Sequence, residues 1–250
     1  MRVLIVCSGT TRKKSFKKQQ PFIFEQMEAL KLYNVNYDVF LIENKGLLGY
    51  LRTRKKYINK IKSSNYDLAH AHYGLSGMLA VLQTEIPVLI TFLGSDINDK
   101  KIRIISRIAM IFSKHNIFMN RHQQRKVIIN KRQSIVPFGI DLDKIRPEIK
   151  ATSRLKMGLN KEDKICLFGS SRFRKVKNFS LAEKATSLCN NIKLIDLHGN
   201  YEKEEVICLI NAADCVLITS LNEGSPQIIK EAMACNKPIV STDVGDVKDL

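Results

Sequence analysis

The sequence predicts an α/β protein made of two consecutive doubly wound units, each with a parallel sheet between layers of helix. Three observations predict it. Short apolar runs alternate with longer stretches whose apolar residues recur at three-to-four spacing, the signature of βαβ units. The runs are brief and apolar, as in parallel strands buried on both faces. The alternation is interrupted once, at Val136-Pro137-Phe138-Gly139-Ile140-Asp141 and Arg146-Pro147, and then begins again.

Taken in order, residues 3–7, 39–42, 68–71, 88–92 and 117–119 read as strands of the first unit. Residues 22–32, 51–61 and 102–112 read as its helices. In the second unit 165–168, 193–197, 215–219 and 238–241 read as strands, and 180–188, 203–212 and 226–234 as helices. The boundary falls in the Pro- and Gly-bearing connector, giving units of 1–140 and 141–250. Such a pair of sheets places ligands at the carboxyl ends of the strands. The opening Val3-Leu4-Ile5-Val6-Cys7 is too short for a signal peptide and is followed closely by Arg12-Lys13-Lys14, so it reads as the first strand. No apolar run approaches the roughly 18 residues of a membrane span.

Hydrophobic residues make up 44% of the 250 and charged residues 26%, which supplies a core and argues against wholesale disorder. The charge is uneven. Residues 1–135 hold 24 Lys/Arg against 8 Asp/Glu, while 136–250 hold 17 against 16, so nearly all of the net +17 belongs to the first half. That half is expected to meet something anionic: a phosphate-bearing substrate, a membrane or a nucleic acid. The cysteines at 7, 166, 189, 208, 215 and 235 form no C-x-x-C pair and read as reduced thiols, several in strand cores.

Two segments carry chemistry. Glu223-Gly224-Ser225-Pro226 follows the strand at 215–219 and opens a helix containing Glu231. Pro226 suits the first helical turn, and free N–H groups with the positive end of the helix dipole suit a diphosphate. Glu231, one turn further in, can accept two hydrogen bonds from paired hydroxyls such as those of a ribose. Phe168-Gly169-Ser170-Ser171-Arg172 through Lys177-Asn178 likewise follows a strand and precedes a helix. Arg172, with its planar fork, and Lys177, a point charge, could hold one phosphate group.

With these residues the sequence resembles the retaining GT-B glycosyltransferases of the large GT4 group. Glu223 and Glu231 match the family's E-x7-E motif. Arg172 and Lys177 match its G-R-x-x-x-x-K-G element, with Asn178 in place of the glycine. Residues 136–141 resemble its P-N-G-V-D linker, and Asp67-Leu68-Ala69-His70-Ala71-His72 and Thr91-Phe92-Leu93-Gly94-Ser95-Asp96 its D-x-x-H-x-H and T-F-H-G-x-D segments. The resemblance implies a GT-B fold and sugar transfer with retention from a nucleotide-diphosphate sugar to an acceptor, lipid-linked or a polysaccharide precursor, with no cofactor and no metal. It gives Arg172 and Lys177 the donor diphosphate, Glu231 the ribose, and Glu223 with Gly224, Ser225 and Pro226 the transferred sugar. Gly199 and Asn200 fall near the nucleotide base, and Ser8, Gly9 and Asp96 in the cleft of the first unit. The family often has a histidine where Leu93 stands; His70 or His72 would then supply an imidazole, or none is used, and His72 is the catalytic candidate beside Glu223. Family members usually continue for roughly another hundred residues, so the second unit is expected to be incomplete.

Other readings attach to the same residues. His70 and His72 share one side of a strand, where packed histidines are common. In residues 102–112 an apolar stripe of Ile104, Ile105, Ile108, Ile111 and Phe112 runs beside Lys100, Arg103, Arg107 and Lys114, as in helices that lie on anionic membranes. A cytoplasmic protein, peripheral on the inner membrane face, is the expectation. A basic nucleic-acid binder is the alternative class, but no helix-turn-helix, zinc-finger or RRM signature is present. An inactive glycosyltransferase remnant is the other alternative. No His, Cys and carboxylate set has zinc spacing.

Overall fold

The computed structural model describes residues 1–9, 16–43, 46–127, 129, 132–198 and 201–250. Its contacts divide the chain into two compact units, Met1–Phe138 and Gly139–Leu250. Both are α/β with all-parallel sheets, the fold class that the sequence predicts.

In the first unit β1 (Arg2–Ser8) leads through α1 (Phe16–Gln19) and α2 (Pro21–Lys31) to β2 (Asn36–Ile42), then to α3 (Gly46–Lys62) and β3 (Leu68–His72). It continues with α4 (Gly74–Ala80), β4 (Val88–Phe92), α5 (Ser95–Asn98), α6 (Lys100–Phe112), β5 (His115–Phe118), α7 (Arg121–Arg125) and β6 (Gln133–Ile135). The strand order is β2-β1-β3-β4-β5-β6. Successive side chains of β1 point to opposite faces, as strand geometry requires. Leu4 and Val6 join a core with Tyr57, Leu79, Phe92 and Met110, while Val3, Ile5 and Cys7 join another with Ile23 and Met27.

In the second unit the order of elements is α8 (Lys150–Lys156), β7 (Lys164–Phe168), α9 (Phe179–Ser187), β8 (Ile192–Asp196), α10 (Lys203–Ala212), β9 (Cys215–Ile218), α11 (Gln227–Ala234) and β10 (Ile239–Ser241). The sheet runs β10-β9-β7-β8. β7 repeats the division seen in β1: Ile165 and Leu167 face one core, Cys166 and Phe168 the other. All six cysteines are free.

Each sheet reverses its strand order beside its first strand. β1 lies between β2 and β3, and β7 between β8 and β9. The carboxyl ends of those strands are the topological switch points, where the loops diverge and leave a crevice.

The structure adds elements that periodicity does not reveal. β6 is a three-residue edge strand, Gln-Ser-Ile, with no apolar run to mark it. α4 is hidden for another reason. Gly74, Ser76, Gly77, Leu79 and Ala80 are all buried, so it has no polar stripe and no amphipathic period. Its glycines are required by packing. A Cβ on Gly77 would lie 2.7 Å from Ile90 Cδ1, and one on Gly74 would lie 1.9 Å from Ser106 Oγ. Gly74→Ala is therefore expected to destabilise the first unit by about 1–3 kcal/mol, because Ser106 is fully buried and cannot yield. Gly139→Ala meets nothing within 4 Å and should stay within about 0.5 kcal/mol of the parent. Urea unfolding of the two variants checks the contrast.

Candidate functional site

The loops that follow β7 and β9 meet at the switch point of the second sheet. The chain leaves β7 through Gly169, whose N–H donates to the carbonyl of Leu217 at 3.1 Å. A Cβ at Gly169 would come within 3.0 Å of the Ile228 side chain, so a larger residue would have to push that side chain aside where the turn passes α11. A short 3-10 turn at Lys175–Lys177 follows, ending at Asn178 with φ of 53°. Asparagine is among the residues that best tolerate this left-handed conformation, and that accounts physically for asparagine where the resembling family has glycine.

This turn is tied to the end of β9. Thr219 Oγ1 donates to the carbonyls of Lys177 and Asn178 at 3.1 and 2.9 Å, and the Leu221 N–H donates to Val176 O at 2.9 Å. The two loops thus carry Lys177 and Glu223 into a salt bridge, each side chain only 12% exposed. Glu223 also accepts from Ser220 Oγ at 2.6 Å. Lys177, Ser220 and Glu223 line a small recess floored by Phe168, Gly169 and Ile228.

Glu231 sits on α11 and is buried, with Lys203 Nζ donating to its Oε1 at 2.5 Å. Lys203 is the first residue of α10, at the positive end of that helix dipole, where a cation is disfavoured. Glu231 supplies the compensation. Pro226 is the N-cap of α11, so the helix proper begins at Gln227, one residue later than the sequence suggests. Gly224 lies against the C-terminal segment: a Cβ at Gly245 would come within 2.4 Å of Gly224 O. The buried Ser225 Oγ finds no hydrogen-bond partner among the described residues.

Arg172 is placed differently. Its N–H and Nε donate to Asp196 at 3.0 and 2.9 Å, and its guanidinium lies 4.9 Å from the Phe179 ring centroid. Burial pushes the Asp196 carboxyl up, but the hydrogen bonds and charge of Arg172 outweigh it and hold the group below the usual range. Arg172 lines a separate depression beside α9, outside the recess that holds Lys177 and Glu223. Gly199 and Asn200 lie outside the described residues.

In the first unit Ser8 ends β1, and its carbonyl accepts from Gln20 Nε2 at 2.8 Å, while the Gly9 N–H donates to Ile42 O at 3.2 Å. His70 and His72 are buried with ring centroids 4.2 Å apart. His70 Nε2 pairs with Thr91 Oγ1 at 2.7 Å, whereas neither ring nitrogen of His72 has a partner among the described residues. Burial pushes the His70 imidazole down to about 4, and burial together with His70 lowers His72 further. Both rings are neutral near neutral pH. Tyr73, the next residue, has φ of 84°, a strained conformation for a bulky side chain. Asp96 is a buried brace: its carboxylate accepts from the N–H groups of Gly74, Leu93 and Gly94 at 2.8–3.2 Å. Burial raises its carboxyl to about 6 despite these bonds.

Three participants escaped sequence reasoning. Lys203 and Ser220 carry no local signal. Asp196 had one, as an acid closing an apolar strand. Among the described residues no group of three His, Cys, Asp or Glu could hold a metal ion.

Residues 148–250 match the family described as Glycosyl transferases group 1. A putative teichuronic acid biosynthesis glycosyltransferase, TuaC of Bacillus subtilis, is 26% identical over 217 residues, which is 74% of this chain and 55% of that protein. The chain thus spans about half the length of the curated relatives it matches. Among solved structures, sucrose-phosphate synthase from Thermosynechococcus elongatus superposes with a TM-score of 0.73 at 16% identity, covering 99% of this chain and 82% of that one. Anabaena HepE in complex with UDP gives 0.70 at 16% identity, covering 100% and 82%.

The histidine pair makes stability pH-dependent. An imidazole whose pKa falls from 6.5 unfolded to about 4 folded takes up its proton first in the unfolded chain, so stability is lost as pH drops through that window. Glutamine keeps the Thr91 bond and does not titrate. Relative to the parent, His70→Gln should gain about 2 kcal/mol on going from about pH 7 to about pH 5. Urea unfolding at both values checks this; a constant difference would refute it.

Proposed function

We propose, from the match of residues 148–250 to the glycosyl transferases group 1 and from the GT-B fold of the two units, that this chain transfers a sugar from a nucleotide-diphosphate donor to an acceptor. The observation that carries the reading is the Lys177–Glu223–Ser220 cluster at the switch point, with Glu231 on the helix behind it. A cation there meets the negative charge that grows on the departing diphosphate, and such stabilisation of developing charge is often the largest contribution to catalysis. The backbone from Gly224 into α11 offers N–H groups to the same anion. Glu231 holds the ribose, exchanging its bond from Lys203 for hydroxyl donors. UDP bound to a solved neighbour supports a nucleotide-linked donor.

The rest of the reading follows the resemblance. Transfer proceeds with retention, Glu223 contacts the sugar, His72 serves as a neutral imidazole, and no metal is needed. The acceptor is lipid-linked or a polysaccharide precursor, met on the cytoplasmic side of a membrane. No described helix is long and apolar enough to cross one.

Calorimetric titration with UDP-, GDP- and ADP-glucose identifies the donor. Lys177→Ala should then weaken its binding by about 1.5–3 kcal/mol, the range for hydrogen bonds to charged groups. Loss of one partner from a buried pair also threatens folding, so the thermal transition is recorded alongside. Unchanged affinity in folded Lys177→Ala would remove the diphosphate role, and an inverted anomer in the product would remove retention.

A further inference from the structure

The helix α6 packs against its own fold with the wrong residues for an ordinary surface helix. Its inward side consists of Ser106, Ala109 and Met110, and Ser106 is so close to Gly74 that no larger residue fits there. Four of its large apolar side chains face outward instead. Ile104 is 62% exposed, Ile108 41%, Ile111 49% and Phe112 68%. Ile104, Ile108 and Ile111 stand at spacings of four and three, so they form one stripe along the helix, with Phe112 beside its end. A soluble helix normally buries such a stripe.

Every charged side chain within α6 is basic. Lys100, Lys101, Arg107 and Lys114 are exposed beside the stripe, and none pairs with a described carboxylate. Between Asp99 and Asp141 the sequence has no acidic residue at all. α3, which shares a core with α4 and α6 on the same face of the sheet, adds exposed Arg52, Lys55, Lys56 and Lys62 to that layer.

We propose that α6 docks the first unit on an anionic lipid surface, with Ile104, Ile108, Ile111 and Phe112 entering the headgroup boundary and the flanking Lys and Arg meeting lipid phosphates. An exposed apolar stripe framed by cations is the pattern of interfacial helices, in which buried apolar area and attraction to anionic lipid act together. A nucleic-acid groove would use the cations but leave the isoleucines without a partner. A second copy of the chain would bring the same cations face to face, which like-charge repulsion opposes.

The test is sedimentation of the whole chain with phosphatidylcholine vesicles, with and without phosphatidylglycerol. The protein should pellet with the anionic vesicles and stay in solution with the neutral ones, and added salt should release it. Arg107→Gln should lower partition about fivefold. Ile108→Ser with Ile111→Ser should lower it by more than about tenfold. Both changes are at exposed positions, and circular dichroism verifies the fold. Equal partition of the double variant and the parent would overturn the proposal. So would capture of duplex RNA through the same residues, or a dimer that the double variant dissolves, in place of vesicle binding. Partition is read without any sugar transfer, so its failure is distinct from failure of the enzymatic reading.

Discussion

The second unit depends on a seam of three hydrogen bonds. Thr219 Oγ1 holds the carbonyls of Lys177 and Asn178, and Leu221 N–H holds that of Val176. These bonds join loops that leave two different strands, β7 and β9. Without them Lys177 would belong to a free turn ahead of α9. With them it lies within reach of Glu223, a residue 46 positions away in sequence. The parallel pairing of β7 with β9 sets the seam's register, and Asn178 supplies the positive φ that turns the chain into α9. The geometry of the recess is thus settled by the sheet before any ligand arrives.

The same geometry decides how the charges behave. Lys177 pairs with Glu223 and Lys203 with Glu231, while Arg172, outside the recess, pairs with the buried Asp196. A buried unpaired charge costs several kcal/mol, so a site that gathers cations has to store them against carboxylates. Under the proposed function, an incoming diphosphate or ribose would exchange one partner for another rather than fill a vacancy. Exchange keeps most of the desolvation cost already met in folding, which favours binding over assembly from solvated groups.

Much of the architecture was legible because buried parallel strands leave short apolar runs that sequence preserves, as at Val3–Cys7 within β1 and Ile165–Phe168 within β7. The loops that follow them were legible for the same reason: a Gly or Ser directly after such a run marks the carboxyl edge. What stayed hidden was set by packing. α4 lacks a polar face, so no period betrays it, and its glycines look like loop residues until Ser106 and Ile90 are seen against them. Lys203 was read only as the start of a helix, because its partner Glu231 lies 28 residues on and no spacing rule links them. Asp96 was legible as a motif residue but not as a brace, since its three backbone donors come from two separate segments.

The net charge and the charged recess belong to different halves of the chain. The first half carries the excess of Lys and Arg, yet its described strand ends hold neutral histidines and a buried Asp96. The second half is nearly balanced in charge, yet its strand ends hold the paired cations. Long-range charge and local chemistry are separable because free surface charges act through a field that salt screens within about 10 Å, whereas paired charges in a recess act through contact. An excess of surface lysines therefore says little about the strand-end loops of the second unit. It bears on where the first unit resides, and α6 concentrates that excess around an apolar stripe that its own core does not use. Two recognition tasks, a charged small molecule and an extended anionic surface, would demand this division: matched pairs for the first and unmatched cations for the second.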